Sequence, residues 1–365
     1  MRYVLGLVLS MLMVGCGGEA NGVPCSEQGI RDAIEKGGGP YFFACEGPTT
    51  VVTQQEIVIA NDVILDGLGN LTVDGNEEHR VFSVPEGVAA ELRGLSVRRG
   101  SALVGDVLEV YGGGIENSGN LTLTNSTVSE NSAASGGGIA NGGTLTLINS
   151  MVSGNRGERP TFNGGGGIIN GGMLTLINST VSGNLGYVGG GISSGGTMTL
   201  LQSTVSSNDA ALGGGGILNY GRMTMMNCTV SRNSGTSGRG IYIDGLEEST
   251  LTGSVVDGDC TIAPPATLIS NGHNIESPGD TCGFDTNKGD QVSVSAEDLA
   301  LEPLHDNGGP TETHAPGEGS VAIDVIPAVD CVDADGAPLT TDQRGHPRPA
   351  GAESKCDAGS VEVQP

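Results

Sequence analysis

Residues 112–131 read GGGIENSGNLTLTNSTVSEN, in which a glycine run and an isoleucine precede two short apolar patches among polar residues. This pattern occurs six times, and its isoleucine stands at Ile115, Ile139, Ile168, Ile192, Ile217 and Ile241. The spacings between successive isoleucines are 24, 29, 24, 25 and 24 residues. A repeat of this length indicates a solenoid, in which each coil stacks on the coil before it.

Apolar and polar residues alternate within each copy, which is typical of strands. The triplet Leu121-Thr122-Leu123 recurs in later copies that begin at Leu145, Leu174, Met198 and Met223. A second apolar position is a valine in five copies, at Val128, Val152, Val181, Val205 and Val230. With the isoleucine, these positions predict an all-β fold, a parallel β-helix with three strands and about 24 residues per coil. Helical repeats would need long amphipathic runs, which the 64 glycines disfavour.

Stacked coils place like residues above one another, so we expect two ladders of asparagine side chains that hydrogen-bond from coil to coil. The first column is Asn125, Asn149, Asn178 and Asn227, with Gln202 in the remaining copy. The second column is Asn131, Asn155, Asn184, Asn208 and Asn233. Both ladders would satisfy backbone groups at the turns.

The N-terminus reads as an export signal. Residues 1–15 combine Arg2 with an apolar stretch that is too short to span a bilayer. Met13-Val14-Gly15-Cys16 resembles a bacterial lipobox, which implies a lipid on Cys16 and residues 16–24 as a tether. No aspartate follows the cysteine, which implies a lipid-anchored protein at the outer membrane or cell surface. An ordinary secreted protein cut elsewhere is the alternative.

The cysteines suit an oxidising compartment. Besides Cys16 there are seven, which leaves one unpaired. Cys228 occupies a position where other copies carry serine, so we interpret it as a free thiol. The other six pair most simply with their neighbours, as Cys25 with Cys45, Cys260 with Cys282, and Cys331 with Cys356. Peptide mapping that found other partners would overturn these hypotheses.

The chain is acidic, with a formal charge of −26. Residues 244–365 contain 23 acidic and 4 basic residues. This charge argues against nucleic acid as a partner. Calcium is conceivable, but Asp257-Gly258-Asp259 and Asp333-Ala334-Asp335 lack a calcium-loop pattern, and no CxxC suggests zinc. We therefore expect no cofactor and a monomer whose membrane contact is the lipid on Cys16.

The ends of the chain differ from the repeat. Residues 25–49 predict an N-terminal cap, in which a helix from Ser26 to Lys36 covers the first coil and ends at the glycines that follow. Residues 50–257 predict the parallel β-helix. Residues 258–365 lose the period and gain proline and aspartate, so we expect a loop-rich, disulfide-tied region that closes the far end.

These residues together resemble a bacterial family. The repeat GGGI-x-N…LTL-x-NSTVS-x-N is similar to that of right-handed parallel β-helix proteins of the pectate-lyase-like superfamily, with polymorphic outer membrane protein-like repeats. The start Cys25–Ile34 is similar to theirs. Four C-terminal segments resemble the choice-of-anchor Q domain, namely residues 304–311, 322–324, 342–349 and 356–359. The resemblance implies surface display and no established activity.

An enzyme of this fold, a polysaccharide lyase or glycoside hydrolase, is the main alternative, because such enzymes place acids, bases or calcium-binding carboxylates on one outer face. Here the outward columns are Thr122, Thr146, Thr175, Thr199 and Thr224, and Ser129, Ser153, Ser182, Ser206 and Ser231. Asp74 to Arg80 is the densest charged cluster, and we interpret it as a solvated loop. Ice binding by the threonine column is a further alternative. We predict a structural or adhesive surface rod with no catalytic residues, whose glycan or protein ligand the sequence does not identify.

Overall fold

The computed structural model describes residues 22–103, 111–158, 164–350 and 355–364. Cys16, the predicted signal at 1–15 and most of the predicted tether lie outside these residues. One helix and six strands form the N-terminal part. They are α1 (Glu27–Lys36), β1 (Gly38–Phe42), β2 (Thr49–Val52), β3 (Ile57–Val58), β4 (Val63–Asp74), β5 (Phe82–Val84) and β6 (Ala89–Arg98).

The repeated sequence folds into short strands that recur in the same order in each coil. They are β7 (Ile115–Asn117), β8 (Asn120–Thr124), β9 (Thr127–Ser129), β10 (Ser132–Ala133), β11 (Ile139–Asn141), β12 (Thr144–Ile148), β13 (Met151–Ser153), β14 (Arg156–Gly157), β15 (Ile168–Asn170), β16 (Met173–Ile177), β17 (Thr180–Ser182), β18 (Leu185–Gly186), β19 (Ile192–Ser194), β20 (Thr197–Leu201), β21 (Thr204–Ser206), β22 (Asp209–Ala210), β23 (Ile217–Asn219), β24 (Arg222–Met226) and β25 (Thr229–Ser231).

The last coils follow the same plan with less regular lengths. Their elements are β26 (Ile241–Ile243), β27 (Ser249–Thr252), β28 (Val255–Asp257), β29 (Cys260–Ile262), β30 (Leu268–Ser270), β31 (Ile275–Ser277), a 3-10 helix (Thr286–Lys288) and α2 (Ala296–Leu299). The paired strands of successive coils are all parallel, and they form sheets of 18, 9 and 4 strands. The fold is a parallel β-helix, as the sequence predicts.

The register is the one that the repeat predicts. Ile139 pairs with Ile115 on one side and with Ile168 on the other, so the 29-residue spacing does not shift the stack. The extra residues of that spacing follow Gly157, and those at 159–163 lie outside the described residues. The inward isoleucines, leucines and valines form one continuous apolar core along the shaft. Each buried side chain of this kind contributes roughly 1.5–3 kcal/mol.

The predicted N-terminal cap is present. Ser26 precedes α1 and its hydroxyl accepts a hydrogen bond from the Gly29 N–H at 3.1 Å. Gly37, with a φ of 64°, ends the helix in a conformation that favours glycine. Ile30 and Ile34 are buried in the core of the shaft, so the helix covers apolar side chains that the first coil would otherwise expose to water.

The C-terminal region departs from the expectation. Coils continue past residue 257, because β28 pairs with β31 as far as Ser277. Cys282 and Phe284 then join the core of the shaft and close its end. The rest, which we call the strap (residues 300–350 and 355–364), turns back and lies along one side of the shaft. The prediction of a region that only closes the end is therefore wrong for the strap.

Three disulfides tie the ends of the chain. They join Cys25 to Cys45, Cys260 to Cys282 and Cys331 to Cys356, which are the pairings that sequence proximity predicts. Each closes a loop of about 20 residues, a length for which chain entropy gives roughly 3 kcal/mol of stabilisation. Cys228 is a buried free thiol inside the shaft.

Candidate functional site

The shaft presents three outer faces to solvent or to the strap. The threonine face is the outward side of β8, β12, β16, β20 and β24, and the serine face is the outward side of β9, β13, β17, β21 and β25. The third face is the outward side of β7, β11, β15, β19, β23 and β26. Because coils lie about 4.8 Å apart, each face repeats one set of side chains at that interval.

Threonines follow one another along the threonine face. Thr146 pairs with Thr122 below and Thr175 above, and the column continues through Thr199 and Thr224. All five side chains are half-buried. An outer column beside them is mostly apolar, and it consists of Thr124, Ile148, Ile177, Leu201 and Met226. Across the middle coils this face is flat and uncharged, and charge appears only at its ends, for example at Arg222.

The strap covers the C-terminal half of the serine face. Ser129 and Ser153 are half-buried, whereas Ser182, Ser206 and Ser231 are buried. The Thr180 hydroxyl donates to the Glu312 carbonyl at 2.7 Å. Three of the five serines in the predicted outward column are thus buried in internal contacts and are not available to a ligand.

A histidine and a glutamine anchor the strap. His314 Nδ1 lies 2.6 Å from the Glu302 carbonyl and therefore carries the proton, so Nε2 accepts from the Ser206 hydroxyl at 2.7 Å. Burial lowers the pKa of His314, which keeps the imidazole neutral. The Gln343 amide accepts from Thr204 and donates to Thr180. Both side chains therefore hold the strap against the shaft.

The C-terminal motif segments contact one another within the strap. Gln343 donates to Thr311 at 3.0 Å, and the Asp357 carboxylate accepts from the Asp324 N–H at 2.8 Å. Arg348 is fully buried, donates to the backbone carbonyls of residues 357 and 359, and lies 3.4 Å from the Glu362 carboxylate. Burial raises the pKa of Glu362, while the nearby Arg348 acts in the opposite direction. These charges are buried and paired within the protein.

The charged cluster near the N-terminal end is more ordered than a solvated loop. The Asp74 carboxylate is buried and lies 3.1 Å from Arg98 and 3.5 Å from Arg99. Arg80 pairs with Glu56 at 2.9 Å and with Glu116 at 2.6 Å, and each partner belongs to a neighbouring coil. The interpretation as a solvated loop is wrong for Asp74 and Arg80, which join coils through ion pairs.

The two asparagine columns have different roles. Amides of the second column bond in series, with Asn131 to Asn155, Asn155 to Asn184, Asn184 to Asn208 and Asn208 to Asn233 at 2.9–3.0 Å. The first column has positive φ angles of 49°, 51°, 50° and 51° at Asn125, Asn149, Asn178 and Asn227. Its residues form corners of the coil, and no amide ladder joins them among the described residues. The ladder expected there is therefore wrong.

Sequence reasoning missed a third polar column, which lies buried on the inner side of the strands that form the third face. Asn117 donates to Asn141 at 2.7 Å, and Asn141 donates to Asn170 at 2.7 Å. Asn170 then donates to Ser194 at 3.0 Å. The asparagine two residues after the repeat isoleucine is the sequence signal for this ladder.

A recess with tyrosines opens near β23 and β26. Tyr220 and Tyr242 line a cavity of 300 Å³ together with Leu218, Leu212 and Asp244, among others. Burial raises the pKa of Tyr220, with smaller contributions from the nearby Asp244 and Tyr242. Aromatic residues make up 3% of the chain, and the fold brings these two tyrosines together.

Within the described ranges, no group of three or more histidine, cysteine or acidic residues is placed to hold a metal ion. In the same part of the chain, no helix has both the length and the apolar character to cross a bilayer.

The geometry defines the protein as a parallel β-helix protein with a strap along one face. No protein-family model matches the chain, and no curated protein matches it significantly. Among solved structures, it is similar to a crystal structure of pectate lyase Pel9A, with a TM-score of 0.46 and 14% identity. That match covers 91% of this chain and 90% of the other.

Proposed function

We propose that this chain is a lipid-anchored protein of the bacterial cell envelope whose β-helical rod is a structural or adhesive element without catalysis. The observation that carries the proposal is the threonine face, which offers one half-buried hydroxyl per coil on a flat, uncharged surface. A surface that repeats every coil suits many weak contacts with an extended partner, because linked contacts reinforce one another.

The anchor in this proposal is a lipid on Cys16, and its support is the segment Met13-Val14-Gly15-Cys16. Radiolabelled palmitate supplied to cells that express the full chain should appear on the wild-type protein and disappear with Cys16→Ala. Cys228→Ala is the matched control and should keep the label. A wild-type protein without label, or a labelled Cys16→Ala protein, would remove the anchor.

We also propose membership of the choice-of-anchor Q group for the strap and of the polymorphic outer membrane protein-like group for the repeats. Support for the first comes from contacts among the quoted segments, such as those of Gln343 with Thr311 and of Asp357 with Asp324.

Exposure at the cell surface is tested by protease treatment of intact cells. Protection of the rod from protease in intact cells would contradict surface display.

A carbohydrate-active enzyme is the second candidate. The observation that favours it is the cluster at the N-terminal end, where Arg98 and Arg99 lie beside the Asp74 carboxylate and Arg99 also pairs with Glu77. Lyases and hydrolases need an acid and a base at one place on the surface. A panel of acidic and neutral polysaccharides, assayed for new reducing ends and for unsaturated products, separates the two candidates. Turnover that Asp74→Asn abolishes would end the non-catalytic proposal.

A further inference from the structure

The tyrosine recess has walls of two kinds. Apolar and aromatic side chains line part of it, and these are Val188, Leu212, Leu218, Tyr220 and Tyr242. Polar side chains line the rest, and these are Thr236, Ser237 and Asp244. A second recess of 330 Å³ adjoins it through Tyr220 and includes Ile169, Ser193 and Gly195. The two recesses share Tyr220, and Ile169, Ser193, Leu218 and Tyr242 in their linings follow one another from coil to coil along the shaft. We call the two recesses together the tyrosine groove.

The groove arises where the repeat is broken on the outside of the shaft. Tyr220 stands at the turn position that is Gly142, Gly171 and Gly195 in earlier coils, and its N–H continues the same turn bond to the Ser194 carbonyl. Tyr242 extends the outward column of Ile169, Ser193 and Leu218. The small Ser193 and Gly195 leave space beside Tyr220. From Ile169 to Tyr242 the groove spans three coil steps, about 14 Å.

The chemistry of the walls selects the ligand. Tyrosine rings and aliphatic side chains contact the C–H faces of a pyranose ring, while a carboxylate and hydroxyls bond its hydroxyl groups. The volume of 300 Å³ lies at the lower end of the usual range for small-molecule sites, about 300–1,000 Å³.

Charge decides between neutral and acidic sugars. The described residues that line the two recesses include Asp244 but no lysine, arginine or histidine. Glu247 and Glu248 follow Asp244 closely in the chain, and the whole protein carries −26. A uronate or a phosphate would meet like charge there without a basic partner, which is unfavourable.

We propose that the tyrosine groove binds a neutral oligosaccharide along the axis of the shaft. This inference rests on the proposed adhesive function and gives it a ligand class. It assigns Tyr220 and Tyr242 as stacking residues and Asp244 as the group that accepts hydrogen bonds from sugar hydroxyls.

The test uses the fluorescence of tyrosine, which is specific here because the chain has no tryptophan and 6 tyrosines. The purified full chain is titrated with cellotetraose, mannotetraose and β-1,4-galactotetraose, and with tetragalacturonate as the acidic comparison. We expect saturable binding of at least one neutral tetrasaccharide and at least about tenfold weaker binding of tetragalacturonate. No binding of the neutral sugars, or stronger binding of the acidic one, would overturn the proposal.

Variants locate the site. Tyr242→Ala should weaken binding about tenfold, since it removes an aromatic surface, whereas Tyr242→Phe should retain it. Tyr187→Ala is the matched control, because Tyr187 lines a different recess with Arg156 and Ala211. Urea unfolding of each variant checks that the shaft is intact. Equal affinity of the Tyr242→Ala and wild-type proteins would contradict the assignment.

A failure of this inference can be distinguished from a failure of the proposed function. If the wild-type protein carried no palmitate label but still bound sugar, the lipid anchor on Cys16 would be refuted and the assignment of the tyrosine groove would stand. Sugar release measured in the same titration would mark an enzyme, and it would contradict the adhesive role. Binding of a proline-rich peptide in preference to every sugar would show that the stacking surface serves a different partner and would refute the assignment.

Discussion

Replacement of Asn184 by alanine tests whether the amide ladder inside the shaft stabilises the fold. The Asn184 side chain accepts from the Asn155 N–H and from the Asn155 amide, both at 2.9 Å. It also donates to the Val152 carbonyl at 3.0 Å and to Asn208 at 2.9 Å. Asn184 is 1% exposed, so water cannot readily replace these partners.

The expected loss of stability follows from the buried polar groups that the substitution leaves without hydrogen-bond partners. The substitution deprives the Asn155 N–H and the Val152 carbonyl of buried partners, and each such group costs about 1–3 kcal/mol. We therefore expect the free energy of unfolding to fall by about 2–5 kcal/mol, because some relaxation of the coil offsets the upper limit. Urea unfolding followed by circular dichroism measures this as a lower midpoint.

Asn149→Ala is the matched control from the other asparagine column. Asn149 is half-buried with a φ of 51°, and its amide forms no hydrogen bond to another described residue. Alanine there bears only the cost of a left-handed conformation, about 1–2 kcal/mol. Asn149→Gly should cost less still. If Asn184→Ala destabilised the protein no more than Asn149→Ala, the distinction between the ladder and the corner column would be refuted.

Three further predictions concern two buried titratable side chains and one close approach between turns. Burial raises the pKa of Cys228 from 9.0 to about 12. The contribution of this thiol to stability is therefore complete below pH 9 and is lost as the pH rises toward 12. Unfolding measured across alkaline pH should show this loss in the wild-type protein and not in the Cys228→Ser protein. Burial lowers the pKa of His314 below 6.5, so the contribution of this side chain to stability should be lost as the pH falls below that value. Hydrogen exchange should then become faster near Ser206 in the wild-type protein, and His314→Gln should remove this pH dependence. A Cβ on Gly196 would lie 2.0 Å from the Gly172 carbonyl oxygen, whereas a Cβ on Gly195 would meet nothing within 4 Å. Gly196→Ala should therefore lower the midpoint of thermal unfolding, and Gly195→Ala should leave it nearly unchanged. Equal midpoints for the two variants would contradict the close approach of these turns.

The shaft is predictable from the sequence because each coil has the same pattern of apolar and polar residues as the coils beside it. The columns of Ile139 and Leu145 follow from spacing alone, since stacked strands bring equivalent residues into register. The helix cap also follows from local signals, because Ser26 and Gly37 are strong start and stop residues. In both cases, contacts between like positions or near neighbours determine the structure.

The strap could not be placed in this way. Its contacts with the shaft join residues far apart in sequence, such as Ser360 with Thr229 and Gln343 with Thr180, and no repeat relates them. The two asparagine columns also look alike in sequence, because both stack at turns. Only the backbone conformation shows that the column of Asn149 points outward at a corner while that of Asn184 points inward.

The departures from the repeat carry information that the repeat itself does not. Inside the shaft a departure is conservative, since Cys228 replaces serine and its N–H still donates to the Ser254 hydroxyl at 3.1 Å. Outside, Tyr220 replaces a turn glycine, although Gly195 makes the same backbone contact in the coil below. The turn alone does not call for a large aromatic side chain there. The proposed oligosaccharide would contact both tyrosines on the outside of the shaft, and this is why the tyrosine groove, and not the uniform threonine column, is the sharper place to look for specificity.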